Sequence, residues 1–166
     1  MEKIEFAERQ RFTQIWIWLL LLGINGLIIW GIVQQIGYGL PFGNKPVPNT
    51  GLVVIFILVN LFTFFFIFLS MRTRIDEKGM HVRFFPFHRK ERSFLWTDIN
   101  RAYIRQYRPI AEYGGWGLRV LGRFGAYNVS GDTGVQLELK NGGKILIGTQ
   151  KKDEIIILLR KYGFGE

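Results

Sequence analysis

The chain has no cysteine, only two histidines, and two long stretches without a charge. Each shortage removes a class of chemistry. Without cysteine there is no disulfide scaffold, no thiolate metal site, no cysteine nucleophile and no thiol redox switch. The absence also fits a reducing compartment. His81 and His88 fall in a hairpin arm and a turn, so they do not share a face for a metal or acid–base pair. No GxGxxG, no GxxxxGK followed by Ser or Thr, no HExxH and no GxSxG occurs. Gly142-Gly143-Lys144 lacks the earlier glycine and the following hydroxyl of a phosphate loop. Asp98 and Asp132 are single carboxylates near turns, where Asp serves its own backbone. No set of polar residues converges, so we expect a non-catalytic protein with no metal and no cofactor.

What is present is segregated. The 166 residues carry 22 Lys+Arg against 13 Asp+Glu, a formal charge of +9, beside a hydrophobic fraction of 48%. The apolar excess lies in Ile15–Val33 and Leu52–Ser70, each 19 residues long and uncharged. At 1.5 Å per residue each helix covers about 28 Å, the thickness of a bilayer's hydrocarbon. Neither shows the polar stripe of a soluble helix. The first run is too long for a signal peptide and no Ala-x-Ala-like site follows it. We therefore expect a transmembrane hairpin over residues 15–71, with helices 15–33 and 52–70 and a Pro/Gly-rich loop 34–50.

The flanking charges orient it. The tail 1–14 carries Lys3, Arg9 and Arg11, and Arg72, Arg74, Lys78 and Arg83 follow the second helix. The loop has Lys45 alone. The positive-inside rule then places both termini in the cytoplasm. Each helix holds one mid-span amide, Asn25 and Asn60, expected to face each other or a second copy of the hairpin. No Asp, Glu, Lys, Arg or His interrupts either span, which argues against an ion pathway.

Residues 72–166 hold 18 of the basic and 10 of the acidic residues, a net +8. Short alternating runs bounded by turn residues read as seven to eight antiparallel strands, starting at Arg72–Asp76 and ending at Lys144–Gly148. Asn141-Gly142-Gly143 marks a hairpin turn. Thr149 is placed to cap a final helix whose stripe is Ile155, Leu158, Leu159 and Tyr162. The expectation is a compact cytoplasmic β domain plugged by a helix.

Trp96-Thr97-Asp98-Ile99 after the third strand, and the ending Glu138–Lys161 of strand, turn, strand and helix, carry a resemblance. Over residues 72–162 the chain resembles the pleckstrin-homology-like (PH-like) domains of bacterial membrane proteins, which transmembrane helices often precede. The segments YGGWGLR (113–119) and AYNVSG (126–131) look like bacterial membrane proteins of this general type. The resemblance implies a binding or assembly module in the bacterial inner membrane. It brings no shared catalytic residue, and the phosphoinositide-binding basic loop of eukaryotic relatives is not recognisable here.

Two surfaces stand out. Arg101, Tyr103, Arg105 and Tyr107 alternate on one strand. They form either a solvated, self-supporting cation–π face or a surface for anions or a partner. Tyr113, Trp116, Arg119 and Arg123 surround a Gly-Gly-Trp-Gly loop. Its Trp either plugs the β domain or presents an anchor of interface composition. Arg72, Arg74, Arg89, Lys90 and Arg92 are the candidates for anionic lipid head groups. A domain tethered at a bilayer is badly placed for nucleic acid, so the expected partners are the bilayer, its head groups, and an unidentified protein or a second copy. A membrane-anchored scaffold module is the first reading. An accessory subunit of a membrane enzyme or transporter is the alternative.

Overall fold

The computed structural model describes residues 4–164. The chain divides into two units. One is residues 12–68, and the other joins the residues up to Arg11 with those from Leu69 onward.

The first unit is a helical hairpin of α1 (Ile15–Ile32) and α2 (Asn49–Phe68). A π-helical turn over Val33–Gly37 lengthens α1, so the two apolar helices run 23 and 20 residues. Both are long and apolar enough to cross a membrane, and only 17% and 6% of their most apolar windows are buried. The turn at their far end is organised by Gln35, whose Nε2 donates to the Val47 carbonyl and Asn49 Oδ1, both at 2.8 Å. Gly31 lets the Phe42 ring lie where a Cβ would meet it at 2.8 Å.

The mid-span amides do not meet. Asn25 Nδ2 donates to the Leu21 carbonyl at 2.7 Å and to Thr63 Oγ1 at 2.9 Å. Asn60 Nδ2 turns back to the Phe56 carbonyl of its own helix at 2.9 Å. Thr63 follows Asn60 by just under one turn, and it is Thr63 that α2 presents to α1.

The second unit contains two sheets. β1 (Phe6–Arg11), β2 (Ser70–Ile75), β3 (Gly79–Phe85) and β4 (Arg92–Leu95) form an antiparallel sheet in that order. β5 (Ile99–Gln106), β6 (Gly117–Leu121), β7 (Phe124–Asn128), β8 (Thr133–Leu139) and β9 (Lys144–Gly148) form the other, in the order β5-β8-β9-β7-β6. The β7–β9 pair is parallel, which departs from the all-antiparallel expectation. β8 crosses to pair with β5, and its hairpin partner β9 comes back beside β7 in the same direction. Inward residues Met71, Ile75, Met80, Val82 and Phe84 of the first sheet, and Val135, Leu137, Ile145 and Ile147 of the second, are almost wholly buried. Each such side chain contributes roughly 1.5–3 kcal/mol on burial.

The stretch 1–14, expected as a tail, instead supplies β1; Glu2 and Lys3 lie outside the described residues. Its burial alternates, with Phe6, Glu8 and Gln10 inward and Ala7, Arg9 and Arg11 outward. Frequent charge hid this period. The inward carboxylate is satisfied from far along the chain. Glu8 accepts from Thr149 Oγ1 at 2.7 Å, from the Gln150 N–H at 2.9 Å and from Gln10 Nε2 at 3.0 Å.

The N-cap of the last helix, α4 (Lys152–Lys161), is Lys151 rather than Thr149, whose Oγ1 accepts the Lys151 N–H at 3.0 Å just ahead of the helix. Ile155 and Leu159 of α4 are buried, as the stripe requires. Trp96 opens a 3-10 turn (Trp96–Asp98) before β5. Its indole N–H donates to the Asp76 carbonyl at 3.0 Å, and its ring stacks on Tyr162 at 4.8 Å. That corner ties the first sheet to the end of α4.

Candidate functional site

The Arg/Tyr row on β5 is only partly realised. Arg101 and Tyr103 face Glu138 and Gln136 of β8. Tyr107 lies beyond the strand and is 3% exposed, packed with Ala126 and Leu146 against Tyr113. Burial pushes its hydroxyl up to about 12. Arg105 is already occupied. Its Nε donates to Gln136 Oε1 at 3.0 Å, and its Nη2 donates to the Tyr113 hydroxyl at 3.0 Å and pairs with Glu112 Oε2 at 2.8 Å. Glu112 and Tyr113 belong to a short helix α3 (Pro109–Tyr113). Arg105 therefore clamps α3 to β5. Hydrogen bonds from Arg105 and the Arg108 N–H hold the Glu112 carboxyl below its usual range. Among the residues expected here, Arg101 and Tyr103 stay at the surface, the guanidinium 5.4 Å from the ring centroid.

The Gly-Gly-Trp-Gly loop is hydrogen-bonded to the end of β7 and to the turn that follows it. Gly114, Gly115 and Gly117 take φ of 68°, 120° and 131°, which side-chain-bearing residues rarely adopt. The half-buried Trp116 donates its indole N–H to the Gly131 carbonyl at 2.8 Å, and the Gly117 N–H donates to Asn128 Oδ1 at 2.8 Å. The apolar presentation lies further on, at the β6–β7 hairpin. Leu121 is 86% exposed and Phe124 55%, with Arg119 and Arg123 beside them. Arg123 Nη1 donates to the Asn141 carbonyl at 3.0 Å.

The basic candidates separate. Arg89 and Lys90 are exposed in the β3–β4 connection, and Arg92 begins the edge strand β4. Arg74 is committed, with Asp76 Oδ2 at 3.2 Å and Glu91 Oε2 at 3.3 Å. Arg72 stands between two arginines that the basic candidates omitted. Arg9 is opposite it on β1 and Arg83 on β3, so the three form one rung across the outer face of the sheet. Together with Ser70 and Phe85 they line an open cleft of about 230 Å³. The rung depends on the register of β1, which no local pattern revealed; the sequence signal is only that Arg9, Arg72 and Arg83 each sit at outward-alternating positions.

A buried polar line crosses the same sheet. Asp76, 1% exposed, sits 3.0 Å from His81 Nε2, while His81 Nδ1 is 2.8 Å from Ser93 Oγ. The residue types are those of an acid–imidazole–hydroxyl relay, with the ring reversed from the usual arrangement. His81 and Ser93 are directly opposed partners in the β3–β4 ladder, so the pairing register itself brings them together. Asp76 Oδ1 also accepts the Lys78 and Gly79 N–H groups, at 2.9 and 3.2 Å, which closes the β2–β3 turn. Among the described residues no three His, Cys, Asp or Glu side chains gather as a metal site. No protein-family model matches the chain, and no curated protein matches it either.

Proposed function

We propose that this chain is a membrane-anchored, non-catalytic binding module, with the β unit as a PH-like domain at the inner leaflet of a bacterial cytoplasmic membrane. One observation carries the reading. β1 and β2 are paired neighbours, Arg11 opposite Ser70, and each passes within a few residues into one of the two apolar helices. A strand pair cannot be split by a bilayer, so both must lie on one side of any membrane that the hairpin crosses. The low burial of the helices supports a lipid surrounding, because such exposed apolar surface is unfavourable in water. The excess of basic residues beside β1 and β2 supports placing that side in the cytoplasm.

The exposed Leu121 and Phe124 with their arginines favour a second reading, an accessory subunit docked to another membrane protein. What co-purifies in mild detergent separates the two. A defined partner lost on Leu121→Ala and Arg119→Ala supports the subunit, whereas lipid or a second copy of the chain supports the self-contained module.

Because the chain lacks cysteine, single thiols report its topology cleanly. Lys45→Cys should react with an impermeant maleimide in intact cells, and Glu77→Cys should react only after the membrane is opened. Labelling of both positions from outside would overturn the anchoring.

A further inference from the structure

We propose that Arg9, Arg72 and Arg83 form a binding site for a phosphate group, with Ser70 and Phe85 completing its wall. The case begins with repulsion. Directly opposed residues on neighbouring strands have Cβ atoms about 4.5–5.5 Å apart, and like charges so placed are destabilising. Here two such pairs share Arg72. Arg11 lies next but one to Arg9 on the same outward side of β1. Desolvation, then the charges of Arg11 and Arg72, hold the Arg9 guanidinium below its ordinary range.

No carboxylate among the described residues answers this charge. Four acids near the rung in sequence are engaged elsewhere. Asp76 and Glu91 serve Arg74, Glu5 pairs with Lys161, and Glu8 points inward to Thr149 and the Gln150 N–H. Three cations left facing one another need an anion to offset them.

The geometry suits a tetrahedral oxyanion. Arg83 is positioned in advance: its Nε donates to the His88 carbonyl at 3.3 Å, and its guanidinium carbon stands 5.9 Å from the Phe85 ring centroid. That leaves its terminal nitrogens for a ligand. Arginine forks match phosphate oxygens and hold them by charge-assisted bonds. The cleft of about 230 Å³ is smaller than the roughly 300–1,000 Å³ of drug-sized sites, and fits one phosphorylated group.

Two sources carry this chemistry, an anionic phospholipid head group and a free phosphate-bearing solute. The lipid source rests on the membrane anchoring proposed above. Arg72 lies four residues past the end of α2, so an extended chain keeps it within about 14 Å of the helix end. The soluble source does not need that anchoring.

The test uses the full chain in phosphatidylcholine nanodiscs, with thermal unfolding of the β unit as the readout. Inorganic phosphate replaces chloride at constant ionic strength in one arm, and phosphatidylglycerol is added to the discs in the other. Wild type should melt higher in at least one arm. Arg72→Gln should weaken that response about tenfold or more. Without phosphate the variant should melt no lower than wild type, because a repulsion has been removed. Arg83→Gln should behave alike, and Arg160→Gln, an equal change of charge at an exposed position of α4, should respond as wild type does. A response to phosphatidylglycerol alone identifies the lipid source, and a response to phosphate alone the soluble one. If the hairpin proves not to be inserted, the phosphate arm still decides the site. Wild type indifferent to both probes, or Arg72→Gln and Arg83→Gln responding fully, would overturn it.

Discussion

Asp76 shows how one buried side chain links local chemistry to stability. Burial pushes its carboxyl up, but hydrogen bonds from His81 and from the Lys78 and Gly79 N–H groups prevail, and its pKa is lowered. A carboxyl lowered in the folded state stabilises above the unfolded value, about 3.9, and that contribution is lost as pH falls through the lower folded value. Acid titration of unfolding should therefore show stability declining below about pH 4. Asp76→Asn should cost about 1.5–3 kcal/mol at neutral pH, the range for hydrogen bonds to a charged group, and should flatten that acid limb. An unchanged acid limb in the variant would remove Asp76 from the account. Within the chain, Asp76 reads only as the end of the strand Arg72–Asp76, and the ring and hydroxyl that complete the network come from strands whose register is not written locally.

At the scale of elements, the hairpin is held by a polar contact between neighbours that only packing selected. Asn25 and Thr63 form the interhelical bond at 2.9 Å, and Thr63 Oγ1 itself donates to the Val59 carbonyl at 2.9 Å. Interhelical polar contacts in apolar surroundings contribute about 0.6–2 kcal/mol. Asn25→Val and Thr63→Val should each weaken helix association by that order, and the double variant should cost little more than either single one. Asn60→Val should leave the hairpin intact. Additive losses at Asn25 and Thr63, measured by unfolding in detergent, would show that the bond is not shared. Both helices were legible from length and absent charge, and β2 to β9 from alternation and turn residues. The amide pairing was not, because depth in a span is a property of sequence while rotation about the axis is set by the neighbour. The same reason displaced Tyr107 from its row, since the strand ends at Gln106 and the next side chain turns into the core.

At the scale of the molecule, the β unit is built from both sides of the hairpin. β1 brings Phe6 to the core, at 4% exposure, and Glu8 to Thr149 and Gln150. Removing residues 1–11 should therefore destabilise the β unit rather than trim a tail. It takes away a paired strand and leaves the Thr149 hydroxyl and the Gln150 N–H without their carboxylate. Amide exchange should show protection lost across β2, which would become an edge. Protection in β2 equal to that of the full chain would mean that β1 is dispensable. Sequence reading assigned these residues to orientation alone, since a strand of six residues carrying charges looks like an ordinary basic flank.

The sequence by itself determined where charge and apolar surface lie along the chain: two uncharged spans, a basic remainder with strand and turn periods, and a last helix with one apolar stripe. These are local quantities, set by composition and by periods of two and 3.6 residues. The tertiary structure decided which distant residues meet. It joined residues 6–11 to the sheet that begins at Ser70, set Asn25 against Thr63, engaged Arg105 with Glu112, and aligned Arg9, Arg72 and Arg83 in one rung. Register and rotation arise only when surfaces pack, because each is a relation between two segments and neither segment encodes it alone.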